Sequence, residues 1–66
     1  MRKWLLDLRK GRTQAEIAKA AGITQQMYSA IERGERRPSV KVAKRLASVL
    51  GFNWTRLYDD DDDNDE

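Results

Sequence analysis

Apolar residues recur along this chain at intervals of three and four, the period of an α-helix, with no sustained alternation and few β-branched runs. Glycines at positions 11, 22, 34 and 51 and the single proline, Pro38, cut the pattern into short segments. Segments of that length suit helices joined by tight turns, and the spacing predicts five of them. The first covers roughly Arg2 to Lys10, with Trp4, Leu5 and Leu8 on one face, and stops before Gly11. Thr13 caps the second, with Glu16 three residues on in the capping-box arrangement, and that helix ends near Ala21. Gly22 supplies the positive φ of a sharp helix-to-helix turn, and Thr24 caps a third helix running to Arg33, which Gly34 closes. Ser39 caps a fourth, whose apolar set is Val40, Ala43, Leu46, Ala47 and Leu50, and Gly51 terminates it. Asn53 caps a last short turn carrying Trp54, Leu57 and Tyr58.

At 66 residues the chain has room for one small domain, an all-α body over residues 1–58. The formal net charge of +2 conceals an asymmetry. All 13 bases lie in residues 1–58, where only Asp7, Glu16, Glu32 and Glu35 oppose them, a body charge of +9, while residues 59–66 hold seven acids and no base. So basic a body favours a polyanionic partner, because its summed field concentrates phosphate-bearing ligands. The polyaspartate run repels itself and has nothing to bury, which predicts a disordered tail. Tethered to a basic body, that tail either competes with a polyanion at high effective concentration or serves only to solubilise.

The absences narrow the function. Without cysteine there is neither a disulfide nor a thiolate for zinc, and packing alone must hold the core, as suits a reducing cytosol. Without histidine the commonest general base and metal ligand is missing. No catalytic residue, metal or cofactor is therefore expected. The opening run Met1 to Leu6 meets Asp7 at once, too short for a signal peptide or a membrane span, so a cytoplasmic protein with no membrane partner is expected.

The most informative window is Gln14 to Arg33, QAEIAKAAGITQQMYSAIER. Ile17, Ala21, Ile23, Tyr28 and Ile31 are its inward positions, spaced as two helices crossing at roughly 90–120° require in order to share a core. Ala18 is small where the helices come closest, and Gly22 permits the turn between them. With Tyr28 and Ile31 inward, the opposite face of the second helix of the pair presents Gln25, Gln26, Ser29, Ala30 and Arg33. Glutamine can pair bidentately with adenine N6 and N7, so Gln25 and Gln26 are the leading base-reading candidates, the alternative being a solvated polar first turn. Ser29 shares their face, and Ala30 offers an apolar contact. Thr24 either caps the helix or presses its methyl on thymine, the cap being favoured. Arg33, Arg36 and Arg37 follow as phosphate clamps or, alternatively, as a solvated basic loop.

These residues resemble the lambda-repressor/Cro-like helix-turn-helix regulators. The likeness rests on Leu8-Arg9, Thr13-Gln14-Ala15-Glu16-Ile17-Ala18, Gly22-Ile23-Thr24, Ile31-Glu32-Arg33-Gly34, Arg37-Pro38-Ser39, Leu46-Ala47 and Leu50-Gly51, nearly the whole body. It implies a compact five-helix domain whose third helix enters the DNA major groove, here residues 25–33. It also implies that Gln14 holds a phosphate and that Glu32 pairs with Arg9, tethering the first helix to the reading helix. One departure is that four residues separate Leu8-Arg9 from Gln14 where many relatives have six, which predicts a tight first turn.

The expected function is a sequence-specific double-stranded DNA-binding regulator, of prophage- or plasmid-type repressor character, dimeric at least on a near-palindromic operator. The residues available for pairing are Trp54, Leu57 and Tyr58, which alternatively only cap the core. The competing reading is a protein-interaction module of antitoxin type that docks a protein partner through the same aromatic segment.

Overall fold

In the computed structural model, which describes residues 2–59, the second, third and fourth helices each start where a threonine or serine side chain accepts from an exposed backbone N–H. Met1 and the acidic run 60–66 lie outside the described residues, and with them the expectation of a disordered tail. Asp59, expected in that tail, instead belongs to the last helical turn, where its N–H donates to the Thr55 carbonyl at 3.1 Å.

Helix α1 spans Lys3–Arg9, one residue shorter at each end than its pattern suggested. It ends with Lys10 in the left-handed region at φ 51° and Gly11 at φ 89°. Arg12 then turns back, donating Nε to the Arg9 carbonyl at 3.1 Å and Nη2 to the Leu8 carbonyl at 3.3 Å. That arginine ties off the last turn of α1, so a four-residue connection suffices.

Helix α2 spans Gln14–Ala21, with the capping box complete in both directions. The Thr13 hydroxyl accepts from Glu16 N–H at 3.1 Å, and the Thr13 N–H donates to Glu16 Oε1 at 2.7 Å. The bond from the Thr13 N–H, foremost, holds the Glu16 carboxyl below its ordinary range, since it stabilises the charged form. At the far end Gly22 sits at φ 72°, a conformation in which a side chain would be strained, and the N–H groups of Gly22 and Ile23 return to the carbonyls of Lys19 and Ala18. Helix α3 spans Gln25–Glu32, capped by Thr24, whose hydroxyl accepts from Met27 N–H at 3.1 Å. Helix α4 spans Val40–Leu50, capped by Ser39. A final turn, α5, covers residues 56–59 behind Asn53, whose Oδ1 accepts from the backbone and hydroxyl of Thr55.

Helix α2 packs against both α3 and α4, and α1 against α3. The core comprises Leu5, Ile17, Ala18, Ala21, Tyr28, Ile31, Ala43, Leu46, Leu50 and Leu57. Two expectations are corrected here. Val40, assigned to the apolar face of α4, is 46% exposed, because as the first residue of the helix it lies ahead of the turn that meets the core, and Val42 packs instead. Leu57, offered as a pairing residue, is 0% exposed and closes the core from below, so it presents no surface to a partner.

One polar cluster lies inside this shell. Glu32 is 2% exposed, and three helices supply its partners. From α1, Arg9 Nε stands 3.1 Å from Oε2; from α2, Gln14 Nε2 donates to Oε1 at 2.8 Å; from α3 itself, the Tyr28 hydroxyl donates to Oε2 at 3.0 Å. Burial, then the bond to Glu32, pushes the Tyr28 phenol well above its ordinary range, so it stays protonated and donates. Arg2, an unremarkable helical position in the sequence, is also 2% exposed. Its N–H donates to the Glu32 carbonyl at 2.7 Å, and its guanidinium donates to the carbonyls of Ile31 and Leu57, joining the end of α3 to α5.

Removing one side of a buried ion pair typically costs about 3–5 kcal/mol, against a total of about 3–10 kcal/mol for a domain of this size. Glu32→Ala is therefore expected to lose about 3–5 kcal/mol, a large fraction of the total. Glu32→Gln, which keeps the volume and part of the bonding, should stay folded while losing about 1–3 kcal/mol. Urea denaturation followed by circular dichroism checks both; an alanine variant within about 1 kcal/mol of the parent would remove Glu32 from this role.

Candidate nucleic-acid interface

A helix with one buried face offers its other face to a ligand, and α3 is divided in this way. Tyr28, Ile31 and Glu32 are buried, while Gln25, Gln26 and Arg33 are exposed and Ser29 is partly so. Gln25 and Gln26 are the first two residues after the Thr24 cap, so they stand at the end of α3 that leads into the turn from α2. Four residues apart, Gln25 and Ser29 lie on one ridge, and Arg33 continues it one turn further.

The structure brings most of the expected contact residues together. Gln14, Gln25, Gln26, Ser29 and Arg33 line one concave, solvent-open surface of about 370 Å³. Its floor is the junction of α2 and α3, and every lining side chain carries a hydrogen-bonding group. Gln14, the first residue of α2, reaches it from the side with one amide N–H committed to Glu32 and a second in hand. The buried cluster thereby fixes the orientation of a group on the surface. Arg33 donates Nη1 to Ser29 Oγ at 2.9 Å and pairs through Nη2 with Glu35 at 3.2 Å.

Other candidates lie elsewhere. The Thr24 hydroxyl is engaged as the α3 cap. Ala30 is partly buried beside the concavity, and its carbonyl accepts from Glu35 N–H at 2.9 Å. Arg36 and Arg37 are exposed but line a separate groove with Met27, Pro38 and Val42, beyond the C-terminal end of α3. The expected contacts therefore form two sets, a polar concavity along α3 and a basic loop at its end.

The C-terminal aromatics are held against the body. Trp4 meets Phe52 edge to face at 4.9 Å, with the Arg56 guanidinium 4.2 Å from the Trp4 ring. Trp54 meets Tyr58 at 5.7 Å, and Lys44 lies 5.4 Å from the Trp54 ring. The Tyr58 hydroxyl donates to the Pro38 carbonyl at 3.0 Å, and Arg37 lies 5.8 Å from the Tyr58 ring. Trp54 and Tyr58 keep partial exposure, unlike Leu57.

Sequence reasoning missed the Tyr28 hydroxyl, although a tyrosine at an inward position four residues before a glutamate is a readable signal. It also missed Arg2 and Arg12, whose partners are backbone carbonyls that carry no residue-type signature. Among the described residues no cluster could hold a metal ion, and no helix is long and apolar enough to cross a membrane.

Comparison with known proteins agrees with this geometry. Residues 2–57 match the family model described as Helix-turn-helix. The chain is 52% identical over 62 residues to an uncharacterized HTH-type transcriptional regulator, YqaF, of Bacillus subtilis, covering 91% of this chain and 82% of the relative. It is 42% identical over 53 residues to an uncharacterized HTH-type transcriptional regulator of Methanothermobacter thermautotrophicus, covering 77% of each. No solved structure gives a significant match. With an all-helical body, the matched span and these relatives, the chain belongs to the lambda-repressor/Cro-like helix-turn-helix family of DNA-binding transcriptional regulators.

Proposed function

We propose that this protein is a repressor that binds a near-palindromic operator as a dimer, with α3 in the major groove. The observation that carries the reading is the concavity lined together by Gln14, Gln25, Gln26, Ser29 and Arg33, with the opposite face of α3 fixed in the core. Gln25 and Gln26 read bases, since a primary amide matches the acceptor and donor of adenine in the major groove. Ser29 and Ala30 flank them along the helix. Gln14 holds a phosphate with its remaining N–H, at a helix start where unsatisfied backbone donors favour anions. Arg36 and Arg37 hold phosphates beyond the end of α3, and the body charge of +9 draws the domain to DNA in the first place.

A single short helix reads too few base pairs to single out one site, so two-fold pairing is needed to place two such helices about one DNA turn apart. With Leu57 in the core, the surface left for pairing around the C-terminal segment is Trp54 and Tyr58. Repression needs only that an occupied operator exclude a competing protein. No observation favours an antitoxin-type protein partner over DNA.

Gln25→Ala and Gln26→Ala are each expected to relax preference at one half-site position by about 1–3 kcal/mol while leaving non-specific affinity nearly intact. Titrations against a series of singly mutated operators check this; unchanged preference in both variants would move base reading elsewhere. Arg36→Ala and Arg37→Ala should weaken all sequences alike and lower the slope of log K against log salt by roughly one per lost contact. A change of sequence preference at constant slope would contradict that role. On a symmetric operator at saturation, two chains should be bound per duplex by analytical ultracentrifugation; one chain per duplex would remove the dimer.

A further inference from the structure

The position of Arg33 just after the reading helix suggests a phosphate clamp, but its side chain runs the other way. Arg33 continues the helical backbone at φ −77° and ψ −6°, so it stands one turn above Ser29 on the ridge that starts at Gln25. Helical side chains lean toward the N-terminus, and the contact follows, Nη1 donating to Ser29 Oγ at 2.9 Å. On the other side Nη2 meets Glu35 Oε1 at 3.2 Å. The guanidinium thus lies along the groove-facing ridge and lines the same concavity as Gln25 and Gln26, whereas Arg36 and Arg37 line a different groove.

Glu35 decides what this fork can meet. A carboxylate 3.2 Å from a guanidinium repels a phosphate approaching the same group and cancels much of the attraction that makes arginine a clamp. The edge of a guanine is different, since it offers the acceptors O6 and N7 and carries no net charge. Arginine meets it through two parallel N–H groups, and two of the five donors here are engaged by Ser29 and Glu35, leaving enough for a bidentate contact. The two tethers also limit the fork's freedom before binding. An isolated surface pair at 49% and 62% exposure contributes little to stability, so orientation is its main physical effect.

We infer that Arg33 is a base-reading residue specific for guanine in the operator half-site, with Ser29 and Glu35 as the residues that position its guanidinium. This rests on α3 facing the major groove as proposed above, and it reassigns Arg33 from the phosphate-contacting set.

The test is selection of bound duplexes from a random DNA pool by the full-length chain and by Arg33→Lys, Arg33→Ala and Glu35→Gln, followed by salt titrations on selected and scrambled duplexes. Lysine keeps the charge and loses the fork. Arg33→Lys should therefore keep the parent's affinity for scrambled DNA and its salt slope, while preference for one guanine per half-site falls by roughly tenfold to a hundredfold. Arg33→Ala should lose the same preference. Glu35→Gln releases the fork, and the guanine preference should weaken while affinity for scrambled DNA holds or rises. Both substituted positions are exposed, and thermal melts of each variant check that the fold is kept. An unchanged selected motif in both Arg33 variants, with the slope falling by about one in Arg33→Ala, would make Arg33 a phosphate clamp and overturn the assignment. A parent chain that selects no motif would instead defeat the groove-reading function itself, before any variant is compared.

Discussion

Burial of one carboxylate holds this small domain in register. Glu32 has no access to water, and an ionised group in that position is tolerable only if several donors converge on it. Gln14 and Tyr28 donate hydrogen bonds to it and Arg9 pairs with it as an ion, from three successive helices. The constraint is geometric as much as energetic, because the three partners meet at two oxygens only if α1, α2 and α3 hold one mutual arrangement. With no disulfide available, that specification compensates for a core of only about ten side chains. Arg2 adds to it from the next layer by fastening the carbonyl end of α3 to Leu57.

The same cluster connects stability to the surface proposed to face DNA. Gln14 belongs to both, one N–H on the buried glutamate and its side chain at the rim of the concavity along α3. A group held in this way loses little freedom when it meets a ligand, which is how a fixed core improves recognition without adding contacts. α3 therefore has two chemically distinct faces. Tyr28, Ile31 and Glu32 hold the helix, while Gln25, Gln26, Ser29 and Arg33 line the concavity on its outer side.

Around the C-terminal segment, aromatic rings are approached by cations. Arg56 lies on Trp4, Lys44 on Trp54 and Arg37 on Tyr58, so long basic side chains shield apolar area that would otherwise face solvent. Part of the positive charge of the body thus has a structural use.

The sequence by itself determined the helices and their ends. Thr13, Thr24 and Ser39 cap them and Gly22 turns α2 into α3, through bonds between residues no more than five apart, and local chemistry is what a linear reading can see. The division of α3 into an inward and an outward face was legible for the same reason, because helical period fixes which residues share a side. The Arg9 and Glu32 pairing was legible only through resemblance to a family. Tertiary structure alone decided the rest. It buried Arg2, whose partners are backbone carbonyls 29 and 55 positions away. It drew Leu57 into the core while leaving Val40 outside, a choice that periodicity cannot make for residues at the first turn of a helix or in a single closing turn. And it turned Arg33 back along the reading ridge, because the direction of a long, flexible side chain depends on Ser29 and Glu35 standing within its reach in space.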